Sequence, residues 1–161
     1  MNKDEFSKRI LALSERLIKV ARSQLSSISE QEEAVSECVA RSWEKLPQLK
    51  EEAFFETWVT RILINICHDS QRRRPTEELR EDMAYVDETD AELIDLKTAL
   101  FSLDGSTRLI VVLFHVEGYS IREIADLLDM PQGTVSSKLS RGRASLRAIL
   151  SKEDKGDEDG S

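Results

Sequence analysis

Cysteine, proline and glycine are all scarce in this sequence: two, three and six residues among 161. The two cysteines, Cys38 and Cys67, stand apart from each other and from the two histidines, His68 and His115. No C-x-x-C or Cys–His spacing arises, so a zinc site is disfavoured and both thiols read as small core residues. So few prolines and glycines argue against a loop-rich β-fold, while a charged fraction of 34% suits amphipathic helices. Long apolar runs are missing too. The longest, residues 109–114, falls far short of the ~20 that a membrane span needs. Residues 1–9 are polar and mixed in charge, unlike a signal peptide, so the expected location is the cytoplasm. No nucleophile-and-base constellation or ligand cluster is present, which disfavours a hydrolase or a metalloenzyme. No catalytic residue, metal or cofactor is expected.

What is present is acidity, with a net charge of −8, which at first argues against nucleic acid. Its distribution reverses that reading. Residues 1–74 carry 13 Lys/Arg against 12 Asp/Glu, and residues 97–150 carry 7 against 5. Residues 75–96 hold one Arg against nine acids, and residues 151–161 hold two Lys against five acids. The acidity thus belongs to a linker and a tail, and the segments with helical pattern are mildly basic.

Three amphipathic helices are predicted before residue 75. Phe6, Ile10, Leu13, Leu17, Val20, Ala21 and Leu25 share one face of the first. The second covers about residues 30–46, with Ala34, Val35, Cys38, Val39, Ser42 and Trp43 inward. The third covers about residues 53–73 and carries a double stripe: Phe54, Trp58, Ile62 and Ile66 beside Phe55, Val59, Leu63 and Cys67. Pro75 stops it after Arg72-Arg73-Arg74. Residues 75–96 read as a linker in the main, in which a helix can start near Asp90. The fold class expected is all-α, with small helical domains at 1–74 and 97–150. Between them lies the acidic linker of residues 75–96, and residues 151–161 form an acidic disordered tail.

The sharpest local signal is Ser120-Ile121-Arg122-Glu123, a capping box that opens a helix. Ile121, Ile124, Ala125 and Leu128 form its face, Asp129-Met130-Pro131 breaks the chain, and a second helix runs to Ile149 or Leu150. Its inward residues are Val135, Leu139, Gly142, Leu146 and Ile149. Two short helices around a tight turn make a helix-turn-helix. The outward side of the second carries Gln132, Thr134, Ser136, Ser137 and Ser140 with Lys138, Arg141, Arg143 and Arg147. From residue 131 to 150 there are four positive charges and no negative one. Short polar groups near its start can reach base edges, and the arginines further along can hold phosphates.

The run Glu117-Gly118-Tyr119-Ser120 to Ala125, followed by Pro131-Gln132-Gly133-Thr134-Val135-Ser136-Ser137-Lys138-Leu139-Ser140-Arg141-Gly142-Arg143, resembles region 4 of extracytoplasmic-function (ECF) sigma factors. That family shows EG-[LY]-S-x-x-E-I-A and then I-P-x-G-T-V-x-S-R-L-x-R-A-R. Phe55-x-x-Trp58-x-x-Arg61-Ile62-x-x-Asn65 is similar to its region 2 signature, and Arg72 to Arg74 match the basic end. The resemblance implies a transcription initiation factor that recruits RNA polymerase and is not an enzyme. The helix after Pro131 would enter the major groove at the minus-35 element, reading it with Ser136, Ser137, Lys138, Ser140 and Arg141, flanked by Thr134 and Arg143. The helix of about residues 30–43 would dock on the β′ clamp through Glu33, Ser36, Glu37, Val39, Ala40 and Trp43. Arg61 and Asn65, with Phe55, Arg72, Arg73 and the loop of residues 50–55, would melt and capture the minus-10 element. Trp58 suits either core packing or base contact. The implied partners are core RNA polymerase, through its β′ clamp and β flap, promoter DNA and an anti-sigma factor.

The sequence departs from the family pattern at Ser36, Val39, Lys50-Glu51-Glu52, Asp104, Ser136 and Ser140. A competing reading is a stand-alone dimeric helix-turn-helix regulator. An anti-sigma-like interaction protein would not need the cationic helix.

Overall fold

The computed structural model describes residues 1–73 and 91–159, and those residues are helical with no strand among them. They form two units, one from the helices before residue 74 and one from those after residue 90. No described helix is long and apolar enough to cross a membrane.

The first unit is a three-helix bundle of α1 (Lys3–Gln24), α2 (Ile28–Lys45) and α3 (Phe55–Arg72). Asn2 caps α1 by accepting from the Glu5 amide at 2.9 Å, and Ser27 caps α2 by accepting from the Glu30 amide at 3.1 Å. Pro47 starts a 3₁₀ turn, Leu46–Gln48, that ends α2, and a second 3₁₀ turn, Glu52–Phe54, leads into α3. The buried residues of α2 are Ala34, Cys38 and Ser42, all small and four apart, so α1 and α3 can both approach it closely. The bulk comes from the neighbours: Phe6, Leu13, Leu17, Val20 and Leu25 from the α1 side, and Phe55, Val59, Leu63, Ile64 and Ile66 from α3. Phe6 sits between Trp43 at 5.1 Å and Phe55 at 5.7 Å, edge to face with both. At the other end the Gln71 amide donates to the Gln24 carbonyl at 2.7 Å, tying the last turn of α3 to that of α1.

Both cysteines lie in this core, and burial pushes the Cys38 thiol up to about 11 and the Cys67 thiol up to about 12. Less than ~1% of either is then thiolate at pH 8, and neither is exposed at the surface. The native protein should resist alkylation by iodoacetamide at that pH and take up two labels only in denaturant. Rapid labelling of the native state would show that the bundle opens readily.

The second unit holds α4 (Ala91–Phe101), α5 (Gly105–His115), α6 (Ile121–Leu128) and α7 (Gln132–Asp159). Asp104 caps α5, accepting from both the amide and the hydroxyl of Thr107 at 2.9 Å. That backbone bond first, then the hydroxyl, with Lys138 and Arg108 beyond, holds its carboxyl below the usual carboxylate range. Residues 107–113 are all buried, so α5 is apolar around its whole circumference and serves as the central helix. Arg108 is the exception in chemistry, laid over Phe101 at 4.3 Å with a terminal nitrogen donating to the Leu103 carbonyl at 3.0 Å. Gly118 takes φ +76°, and the Tyr119 amide closes back on the Leu113 carbonyl at 2.9 Å, ending α5. Ser120 and Glu123 make both bonds of the capping box. Asp129 then enters the left-handed region at φ 55°, a conformation aspartate tolerates, and Pro131 accepts from the amides that begin α7.

Residues 91–96, placed in the linker with a helix able to start near Asp90, are the first turns of α4, while residues 151–159, assigned to a disordered tail, continue α7. Charge counts mark composition, whereas helix continuation depends on the lack of a breaker, and no proline follows Pro131. Residues 75–90 of the linker and residues 160–161 of the tail lie outside the described residues.

Candidate nucleic-acid interface

On α7 the buried positions Val135, Leu139 and Gly142 turn the opposite side outward, and Ser136, Ser137, Ser140 and Arg141 are all exposed. These four form a polar row with one fixed cation, Arg141, whose Nε donates to the Ser137 carbonyl at 3.4 Å. Thr134 is half-buried in the first turn. Gly133 has nothing within 4 Å of where a Cβ would stand, so the start of α7 is open to a close approach. The two other expected cations are on the flanks. Lys138 is half-buried and its Nζ donates to Ser106 Oγ at 3.0 Å, which fastens α7 to the first turn of α5. Arg143 is half-buried and bonded to His115. Both are expected DNA contacts, and both also have packing partners on α5.

In the first unit Arg61 and Asn65 are exposed one turn apart on the outer side of α3. Trp58 is half-buried, 6.2 Å from the Phe55 ring. Phe55 itself is 0% exposed, under Phe6 and with the Arg9 guanidinium 4.7 Å above its ring, so its assignment as a DNA contact is corrected to core. Its neighbour Phe54, which the pattern placed in the inward stripe, is 60% exposed instead. The turn that carries Phe54 is held by Arg9, which donates to the Glu52 carbonyl at 2.8 Å. Arg72 and Arg73 are exposed at the end of α3, with Arg72 3.9 Å from Asp69.

The outer row of α2 is continuous: Glu33, Ser36, Glu37, Ala40 and Trp43 are exposed and Val39 is half-buried beside them. Trp43, which the spacing places inward and the resemblance places on the docking face, sits at the surface. It is 44% exposed, with only one edge against Phe6, because Ser42 takes the buried position. A polar cleft runs between α2 and α3, lined by Glu30, Glu33, Glu37, Arg41, Asp69 and Arg73 among others. Among the described residues no group of His, Cys, Asp or Glu is arranged to hold a metal ion.

Residues 10–76 match the family described as Sigma-70 region 2, and residues 93–146 match Sigma-70, region 4. Over 141 residues the chain is 30% identical to the ECF RNA polymerase sigma factor SigM of Mycobacterium tuberculosis, covering 84% of this chain and 71% of that one. This chain belongs to the ECF sigma factors of the sigma-70 family. The ECF sigma factor SigW of Bacillus subtilis is 22% identical over 169 residues, covering 92% of this chain and 90% of its own. Among solved structures, the sigma factor RpoE in complex with the anti-sigma factor NepR, from Bartonella quintana, matches with a TM-score of 0.78. That match has 24% identity and covers 91% of this chain and 97% of that one, so it bears on the fold. As an ECF sigma factor the chain is a transcription initiation factor that works with RNA polymerase at promoters, and its family is non-catalytic. The stand-alone regulator reading is not favoured, since region 2 accounts for the amino-terminal half.

Proposed function

We propose that this sigma factor reads the minus-35 duplex with α7 and captures the melted minus-10 strand with the outer side of α3. The observation that carries the reading is the exposed row Ser136, Ser137, Ser140 and Arg141, acid-free and facing away from the core. Serine hydroxyls can donate to or accept from base edges, and arginine can grip a phosphate or a guanine. Thr134, Lys138 and Arg143 flank the row, the last two positioned by α5. On α3, Arg61 and Asn65 supply donors for unstacked bases, Trp58 an apolar wall, and Arg72 and Arg73 backbone charge. The α2 row, Glu33 to Trp43, is the docking face for the β′ clamp, and the second unit meets the β flap. Promoter elements roughly 16 base pairs apart lie on the order of 55 Å apart at ~3.4 Å per step, which is the distance the chain between the two units has to bridge. An anti-sigma factor completes the set of partners, and the protein acts in the cytoplasm.

Purified protein with core polymerase should start transcription from a selected promoter, and Arg141→Ala should weaken binding to the isolated minus-35 duplex. If Arg141 holds a phosphate, the salt slope falls by about one; if it reads a base, about 1–3 kcal/mol is lost at that base alone. Full activity of Arg141→Ala on promoters that require the minus-35 element would remove α7 from the reading.

A further inference from the structure

A pair of rings ends α5. Phe114 and His115 lie edge to face with centres 5.0 Å apart. Arg143 of α7 spans them: its guanidinium carbon is 5.0 Å from the centre of the Phe114 ring, and its Nε donates to His115 Nε2 at 2.8 Å. His115 is exposed and Arg143 half-buried, so the cluster sits at the surface on the flank of the recognition helix. An imidazole nitrogen accepts only when it carries no proton. The bond therefore requires neutral His115 with its hydrogen on Nδ1.

We propose that His115 is a positioning residue for promoter reading, holding Arg143 over Phe114 in one arrangement from which its terminal donors meet a DNA phosphate only in the register that the polar row of α7 fixes on the minus-35 duplex. The proposal rests on the assignment of α7 to the minus-35 duplex. Arginine has five N–H donors, and committing Nε to His115 leaves the four terminal ones in a fixed fork. A long side chain that is ordered beforehand loses less freedom on binding, which is worth roughly 2- to 10-fold in affinity.

The same geometry makes promoter discrimination depend on pH. Arg143 is the charged group that faces His115 from α7, and Glu117 follows two residues along on the chain that leaves α5. Partial desolvation first, and then the Arg143 charge, hold the imidazole pKa below its ordinary 6.5, so the bond persists through neutral pH and is lost further down. Protonated His115 offers no lone pair at Nε2 and repels Arg143. Its new charge attracts any duplex, so sequence-independent binding rises while the ordered contact disappears. The ratio of specific to random binding should fall.

The test uses the full chain and two duplexes: a minus-35 sequence selected from a random pool with the holoenzyme, and a scrambled control. Affinities are measured from about pH 8 to about pH 5.5, across the histidine range. Wild-type protein should lose roughly 2- to 10-fold of its specificity ratio as pH falls through the lowered pKa of His115. His115→Gln, whose amide oxygen can accept the same donor without titrating, should keep a flat ratio. His115→Phe should show the reduced ratio at every pH, and Arg143→Ala should bind more weakly and lose the pH dependence. The bond has its own signature, a ¹⁵N shift of His115 Nε2 that changes on Arg143→Ala. The same pH slope in His115→Gln as in wild type would overturn the proposal, as would a His115→Phe protein that discriminates normally while Arg143→Ala does not. Unchanged minus-35 affinity in Arg143→Ala, with the ¹⁵N signature intact in wild type, would overturn the role of this flank of α7 in DNA binding itself.

Discussion

Gly142→Val should unfold the second unit at temperatures where the first stays intact. A Cβ at Gly142 would stand 2.8 Å from Thr107 Cγ2 and 2.9 Å from Val111 Cγ2, closer than real side-chain carbons come. Both neighbours are β-branched and sit on the central helix α5, so neither can rotate away without disturbing its own turn. Alanine would recover about 1 kcal/mol of helix propensity, against an overpacking cost of about 1–3 kcal/mol. Valine adds two further carbons and gains less propensity, so a net loss of ~3 kcal/mol is expected, or more than ~12 °C in melting temperature for a unit this small. Thermal melts of wild type and variant, with minus-35 binding measured beside polymerase association, check it. Duplex binding should vanish while association through α2 persists. A variant that melts with wild type would mean that α7 is not pressed onto α5. The family pattern carries alanine here, in R-A-R, and this chain has Arg141-Gly142-Arg143. Thr107 and Val111 fill the space an alanine methyl would take, so Gly142→Ala should be tolerated best together with Val111→Ala.

The helix-turn-helix was legible because its signals are local. A serine hydroxyl and a glutamate three residues on make the capping box, Gly118 supplies the positive φ, and Pro131 opens α7. None of these needs a distant partner. The bundle of α1 to α3 was legible in outline for the same reason, from apolar spacing alone. What failed was the choice between neighbouring faces. Phe54 and Phe55 are equally apolar, and only Phe6 of α1, almost fifty positions back, decides that Phe55 is buried and Phe54 exposed. Trp43 looked like core by size, yet the small Ser42 beside it holds the inward position, since α2 must be thin where α1 and α3 converge. Lys138 and Arg143 were visible as charges, but their partners Ser106 and His115 are 32 and 28 residues away. Arg108 gave no signal at all. Its burial follows from the Phe101 ring and the Leu103 carbonyl arranged at the α4–α5 corner.

Arg61→Ala with Asn65→Ala should impair promoter opening and spare polymerase docking. Both residues are exposed on the outer side of α3, away from the Phe55, Val59, Leu63 and Cys67 row that packs the bundle, so truncation leaves the core alone. Alanine is also the better helix former, which keeps α3 intact. The α2 row that is assigned to the clamp lies on a different helix and loses nothing. The missing free energy should therefore appear only when bases leave the stack: about 1.5–3 kcal/mol for a charged donor and ~1 kcal/mol for the amide. Together these amount to a fall of roughly 70- to 900-fold in open-complex formation. Permanganate footprinting or a fluorescent base analogue at the minus-10 element reads that step directly, and size-exclusion chromatography with core polymerase reads docking. A promoter with the minus-10 segment already mismatched should recover most of the activity, because the duplex no longer charges the protein for separation. Wild type should gain little from the same mismatch. If the double variant fails to bind core polymerase, Arg61 and Asn65 belong to the docking surface, and the outer side of α3 has to be joined to the α2 face as one polymerase interface. If it binds and the mismatched promoter still does not help, the two residues act after melting, in holding the captured strand, and the defect should then show as faster decay of preformed open complexes.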